Sequence, residues 1–236
     1  GLNRPVDFSY FNPMSSHLEI ELNERQNSEG TGSGNGVWQL SADFLILNDF
    51  RISMNYLFDE FTLDNEQLKN NKANSSAYSL KVLHTPINVK NAIVSFYCSI
   101  ISIGTHTFRH QQGYNNFVQR NKPLGWPLGS DSRELKVGLN TFYKNSLITN
   151  IELGQREIGE GNLEESPYIG YTHYLKGPFP SGVVENKTFF TWTLQWWWKH
   201  NVSFLSEVKY FNSNMNNREL ELKIGADIFF PFNIKI

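Results

Sequence analysis

His106 and His110 stand four residues apart, a spacing that puts both imidazoles on one face if the strand they follow continues. Two imidazoles begin a zinc site, but such a site needs at least a third ligand, and spacing marks none. The pair reads instead as part of a rim, and no metal is expected. His173, Asp131 and Ser132 supply the side-chain types of a hydrolytic triad. No Gly-x-Ser-x-Gly or similar turn presents a nucleophile, so the chain is not expected to be an enzyme. Nothing in it calls for a cofactor. The lone cysteine, Cys98, forbids an internal disulfide and lies in an apolar run, where packing is its simpler role.

With no catalytic set assembled by spacing, the elements themselves become the informative part. The chain has 236 residues, of which 39% are hydrophobic and 19% charged. No run of 18 or more apolar residues occurs, which excludes a helical membrane span. Aromatics carry the apolar character instead, with 18 Phe, 10 Tyr and 6 Trp. Many aromatics at a mean hydropathy of −0.42 suit a sheet that is greasy on one face and polar on the other. A net charge of −2 gives no basic field, so nucleic acid is not expected as a partner.

Period-two alternation runs almost end to end and helical periodicity is nearly absent. Trp38, Leu40, Ala42, Phe44 and Ile46 share one face, and after Asn48-Asp49 the series resumes with Phe50, Ile52, Met54, Tyr56 and Phe58. Similar series follow at Tyr78 to Val82, Val94 to Ile100, Leu135 to Leu139, Leu147 to Leu153, Phe190 to Trp198, Val202 to Tyr210 and Leu220 to Ile228. These predict nine strands, and Leu18, Ile20 and Leu22 suggest a tenth. Most are about ten residues or longer, the length a tilted strand needs to cross a bilayer.

The connections carry an independent signal. Short ones at Asn48-Asp49, Asn88 to Asn91, Lys144 to Ser146 and His200-Asn201 alternate with long ones at Glu24 to Gly36, Leu63 to Ser76, His106 to Ser130 and Gly159 to Glu185. Only Ser213 to Asn217 is of medium length where a long one is due. Short periplasmic turns and long external loops are the habit of outer-membrane barrels. The expected fold is therefore all-β: an antiparallel transmembrane β-barrel of a Gram-negative outer membrane, with residues 1–236 forming one barrel domain. A soluble β-sandwich also alternates in this way and stands as the competing architecture.

On the barrel reading, Trp192, Trp196, Trp198, Tyr210 and Phe230 belong to an aromatic girdle at the membrane interface. The charges Arg51, Asp59, Lys81, Glu134, Lys136, Glu152, Arg156, Glu207, Lys209, Glu219, Glu221, Lys223 and Asp227 face the interior. Paired, they would fill it with salt bridges; unpaired, they would line a wet channel. The sequence leaves both open.

Four stretches carry a resemblance. Lys223-Ile224-Gly225-Ala226-Asp227-Ile228-Phe229-Phe230 resembles the β-signal read by the barrel assembly machinery, although Pro231 to Ile236 follow it. Leu2-Asn3-Arg4-Pro5-Val6-Asp7-Phe8, Leu57-Phe58-Asp59-Glu60-Phe61, and the loop running from Tyr114-Asn115-Asn116 to Asn121-Lys122-Pro123-Leu124-Gly125-Trp126-Pro127-Leu128-Gly129-Ser130 resemble the Wzi-like capsule assembly proteins of the outer membrane. In that group a His is common where Trp126 stands. Family members are usually longer, so the resemblance implies the C-terminal part of a larger barrel; a free-standing ten-stranded barrel is the alternative. It also implies a non-catalytic role in assembling or attaching capsular or exopolysaccharide.

A sugar site needs aromatic rings for the sugar faces and amides or carboxylates for the hydroxyls. Tyr114, Asn115, Asn116, Arg120, Asn121 and Trp126 offer these in one loop. The plainer alternative is that the two Pro-Leu-Gly turns fold the loop inward to plug or stiffen the barrel. The expected partners are outer-membrane lipid and lipopolysaccharide, the barrel assembly machinery and capsular polysaccharide. Two other functions stay open: an accessory barrel subunit of a larger outer-membrane complex, and a small-solute channel.

Overall fold

The alternation seen in the sequence becomes one antiparallel sheet. The structure is a computed structural model that describes residues 37–60, 65–109, 116–120, 122–161, 163, 175–215 and 218–229. Nine strands form the sheet: β1 (Trp38–Ile46), β2 (Phe50–Glu60), β3 (Ser75–Val89), β4 (Ala92–Ile103), β7 (Ser132–Tyr143), β8 (Leu147–Ile158), β9 (Glu185–Lys199), β10 (Val202–Ser213) and β11 (Glu219–Ile228). Two short strands, β5 (Val118–Gln119) and β6 (Lys122–Pro123), make a separate ribbon within the β4–β7 connection. Each main strand pairs with its neighbour in sequence, an up-and-down meander. All nine predicted strands are present. The proposed tenth, around Leu18 to Leu22, lies outside the described residues, as do the motif at Leu2 to Phe8 and girdle residue Phe230.

The tight turns form where the sequence placed them, with one shift. At the first hairpin the left-handed residues are Leu47 and Asn48, φ 55° and 59°, rather than the Asn48-Asp49 pair. Closing Ile46 opposite Phe50 leaves three residues in the turn, and Asp49 N donates to Leu47 O at 2.8 Å. Lys144 and Asn145, φ 49° and 52°, make the turn between β7 and β8. Two successive positive φ values match the right-handed twist of the flanking strands, which is why such turns close hairpins.

Register decides which side chains share a face, because directly paired residues point the same way. One row crosses the whole sheet: Phe44, Ile52, Val82, Cys98, Val137, Leu153, Phe190, Tyr210 and Leu220. The row one residue over reads Asp43, Ser53, Lys81, Ser99, Lys136, Gly154, Phe189, Phe211 and Glu219. The first row starts near the turn end of β1 and finishes near the loop end of β11, so the strands are staggered. That stagger accompanies strand tilt in closed barrels.

Exposure is inverted relative to a water-soluble sheet. The apolar face is open: Leu40 is 67% exposed, Val137 50% and Ile224 88%. The polar face holds buried groups, among them Glu134 at 1%, Ser99 and Ser203. Cys98, expected to be packed, is exposed on the apolar face beside Val82 and Val137. Aromatics gather at both ends of that face. Trp38, Tyr56, Phe58, Tyr78, Phe190 and Tyr210 stand toward the long loops, and Phe44, Phe50, Tyr143, Trp196, Trp198 and Phe204 toward the tight turns. In β2, Phe50 and Phe58 lie eight residues apart, about 26 Å of strand at ~3.3 Å per residue.

The sheet is not closed. Among the described residues β1 pairs only with β2, and β11 only with β10. The nine described strands therefore form an open wall with two free edges rather than a closed barrel. In a nine-strand meander the first and last strands run in the same direction. Direct pairing of β1 with β11 would therefore be parallel, and antiparallel closure needs an odd number of further strands.

Candidate functional site

The polar face is knitted across its middle by ion pairs between neighbouring strands. Glu134 on β7 accepts from Arg156 on β8 at 2.7 Å, and Lys136 reaches Glu134 at 3.6 Å and Glu152 at 3.3 Å. The Tyr97 hydroxyl donates to Glu152, and Lys81 lies over the Tyr97 ring, 4.4 Å from its centroid. Arg156 also stands 4.4 Å from the centroid of Phe189. Arg51 pairs with Asp43 at 2.8 Å, and Lys209 with Glu207 at 3.1 Å. In the middle of the sheet the interior charges are thus paired across and along strands, while Glu219, Glu221 and Lys223 on the last strand are exposed. Two glycines make room for the large rings of this layer. A Cβ at Gly138 would overlap the Tyr97 ring, and one at Gly154 would stand 2.5 Å from Phe189 Cζ and 2.7 Å from Leu135 O.

At the end opposite the tight turns, Phe108 and residues 116–120 and 122–130 of the β4–β7 connection fold onto this same face. Phe108 and Leu163 are buried with Ala77 and Ile103, and Leu57, Ile101, Phe117 and Trp126 pack around them. The Phe108 and Phe117 rings lie 5.5 Å apart, and Phe117 N donates to Phe108 O at 3.1 Å. Phe108 N donates to the Asp59 carboxylate, which ties the loop to the end of β2. Both Pro-Leu-Gly units end on a glycine at positive φ, 85° at Gly125 and 69° at Gly129. Only glycine adopts that conformation without steric cost, so the motif has a backbone reason to exist. A cavity of about 400 Å³ lies between the Gly125-Trp126 turn and the floor formed by Leu57, Ala77 and Ile101.

The candidate sugar-binding residues are placed as follows. Trp126 is half-buried in the apolar cluster, Asn116 is half-buried with its carbonyl accepting from Val118 N at 2.6 Å, and Arg120 is exposed. Tyr114, Asn115 and Asn121 lie outside the described residues, as do His110 and His173. The girdle residues Trp192, Trp196, Trp198 and Tyr210 are all exposed on the apolar face. Trp192 sits nearer mid-strand, opposite Ile151 and Val208, with its indole N–H donating to Thr149 Oγ1 at 2.9 Å.

Sequence reasoning missed the main organiser of the loop end, Asp131. Its side chain is fully buried. Oδ1 accepts from Thr105 Oγ1 at 2.7 Å and Ser181 N at 2.9 Å; Oδ2 accepts from Gly161 N at 2.7 Å and Ser181 Oγ at 2.5 Å. One carboxylate thus joins three loop segments distant in sequence. Ser132 Oγ donates to Gly129 O at 3.0 Å, so Asp131 and Ser132 are engaged in structural bonds rather than set up as a base and nucleophile. The signal lay in Gly159-Glu160-Gly161: a Cβ at either glycine would run into the Asp131 carboxylate. Among the described residues, no group of three His, Cys, Asp or Glu is arranged to hold a metal, and no helix is long and apolar enough to span a membrane.

No protein-family model matches the chain, and no curated protein matches it. Among solved structures it is similar to Wzi from Escherichia coli, described as an outer membrane protein involved in group 1 capsule assembly and a carbohydrate-binding β-barrel. The likeness has a TM-score of 0.43 and 11% identity, covering 84% of this chain and 52% of that one. The chain spans about half the length of that structure.

Proposed function

We propose that the chain is a wall of an outer-membrane β-barrel that holds capsular or other surface polysaccharide at the cell exterior without catalysis. The observation that carries the membrane half of this reading is the inverted polarity of the sheet. An aliphatic band bounded by aromatics is turned outward across nine strands, and the ion pairs are turned inward. Water would penalise that face, whereas lipid rewards it. Lipid also tolerates no open sheet edge, so β1 and β11 pair with further strands in the membrane. That requirement supports reading the chain as part of a larger barrel.

The polysaccharide half rests on the long loops. They leave and enter the strands at one end of the sheet, the external end if the tight turns are periplasmic. The Pro-Leu-Gly loop resembles that of the capsule assembly proteins, and Tyr114, Asn115, Asn116, Arg120, Asn121 and Trp126 are its candidate contacts. Trp126 also anchors the loop, so its two roles have to be separated. Cells carrying Tyr114→Ala with Trp126→Ala are expected to lose surface polysaccharide while the barrel reaches the outer membrane at normal levels. Normal retention in those cells overturns the assignment. An accessory role in a larger complex is favoured by one observation, the two sheet edges left free among the described residues, which another chain would serve equally well.

A further inference from the structure

Lysines stand at three successive tight turns of the sheet. Lys90 lies between β3 and β4, Lys144 between β7 and β8, and Lys199 at the end of β9, and all three are exposed. Main-chain bonds join these turns into one rim: Lys144 N donates to Asn91 O at 2.8 Å, and Trp197 N to Ser146 O at 2.7 Å. Each turn is two strands from the next, about 10 Å along the rim.

Two of the lysines lie on the apolar side of the sheet. Lys144 Nζ sits 5.2 Å from the centroid of the Tyr143 ring, and Lys199 Nζ 4.8 Å from that of a Trp198 ring. Both rings are exposed on the apolar face. A lysine folded back over an aromatic ring keeps its stem on apolar surface and its ammonium at the water boundary. Interfacial aromatics mark the headgroup level of a bilayer, so these ammonium groups stand where phosphates would be.

The positive charge of this row is not offset. None of the three turns contains a carboxylate. Of the acidic groups elsewhere at this end, Asp43 pairs with Arg51 at 2.8 Å, and Asp49 lies 3.7 Å from His84 at the first hairpin. Asp227 faces the interior, in register with the buried Ser203.

A groove continues from the rim down the apolar face. It has a volume of about 440 Å³ and lies over β4, β7 and β8, with Phe96, Cys98, Val137, Leu139, Ile151 and Leu153 along it. Leu139 is four residues from Tyr143 on β7, about 13 Å of strand. An acyl chain running down β7 from Lys144 reaches this groove.

We propose that the tight-turn end is a docking surface for anionic phospholipid, with headgroup phosphates at Lys144 and Lys199 and an acyl chain in the groove below Lys144. The inference rests on the membrane reading above and adds which lipid the wall prefers and at which end. Lys144→Gln and Lys199→Gln change side chains alone, so the main-chain bonds of the rim stay in place.

The test is tryptophan quenching in the full chain, folded in phosphatidylcholine vesicles containing increasing amounts of a phospholipid brominated in its acyl chains. Trp196 and Trp198 stand on the apolar face at this end, so they report lipid arriving there. Brominated phosphatidylglycerol is expected to bind about fivefold more tightly than brominated phosphatidylcholine, the effect of one lysine near an anionic surface. The double variant Lys144→Gln with Lys199→Gln should bring the two lipids level. Equal quenching in the wild type overturns the proposal, leaves the membrane face standing and points the lysine row to an acidic protein. A preference that survives in the double variant also overturns it, because the headgroups are then held elsewhere. Quenching by neither lipid overturns the proposal together with the membrane reading.

Discussion

Removing the Asp131 carboxylate should loosen the loop end without melting the sheet, and the size of the effect follows from what it leaves behind. In Asp131→Ala the Thr105 and Ser181 hydroxyls can rotate to new acceptors, but the Gly161 and Ser181 amides cannot turn. Each buried N–H without an acceptor costs ~1–3 kcal/mol, so the pair loses about 4 kcal/mol. At ~1.4 kcal/mol per tenfold, that is about a thousandfold rise in local opening. Asp131 also sits at φ 57°, where alanine adds strain of its own. Asp131→Gly removes that contribution and isolates the carboxylate.

Asp131→Asn should be milder. With its oxygen at the Oδ2 position it keeps the Gly161 bond of 2.7 Å and the longer Ser181 amide contact of 3.2 Å, while its NH₂ meets Thr105 Oγ1, whose hydroxyl can turn to accept. The lost charge leaves a cost of about 1–2 kcal/mol. Native-state hydrogen exchange at Gly161 and Ser181 reads this directly, with strand amides of β4 and β7 as the internal standard. The expected order of protection is wild type, Asn, Gly and then Ala, the last step being the strain that alanine adds at φ 57°. Unchanged protection in Asp131→Gly would show that the carboxylate does not hold these loops.

Three further outcomes are expected. Gly138→Ala drives a methyl into the Tyr97 ring and should lower stability by about 2 kcal/mol, read as a fall in the urea midpoint; an unchanged midpoint would mean the ring is seated elsewhere. Glu134→Leu strips Arg156 of a buried partner and should cost about 2–3 kcal/mol, below the fully buried figure because Arg156 is one-quarter exposed; adding Arg156→Leu should recover most of it, and strict additivity would refute the pairing. Val137→Lys puts a charge in the middle of the apolar face and should reduce folding into phosphatidylcholine vesicles by about 2–4 kcal/mol, whereas Asn140→Lys on the opposite face should fold normally; equal yields would contradict the assignment of the two faces.

The sheet was legible because its rule is local. Alternation along a strand fixes which residues share a face, and the turn residues fix where each strand ends, so the nine strands and their order could be read from one residue to the next. Closure was not legible in the same way. It depends on whether β1 and β11 find partners, and Trp38 to Ile46 alternates identically with or without a neighbour on its far edge. The paired charges were visible as a set but not as pairs, because Glu134 meeting Arg156 depends on the register of β7 against β8. Asp131 shows the limit most plainly. Its role depends on Thr105, Gly161 and Ser181 converging from three loops, and nothing adjacent to it in the chain announces them. The Pro-Leu-Gly turns lie between these extremes: Gly125 and Gly129 declare their backbone conformation, while the apolar floor that Trp126 reaches is set by β2, β3 and β4.

The central claim is that the apolar face meets lipid, and the chain carries a native probe of it. Cys98 is the only cysteine and lies in the middle of that face, in register with Val82 and Val137. A nitroxide attached there, with the protein folded in lipid vesicles, can be relaxed by oxygen, which partitions into the bilayer, or by a charged nickel chelate, which stays in water. The account predicts strong relaxation by oxygen and almost none by the chelate. Strong relaxation by the chelate would put this face in water and contradict the membrane wall.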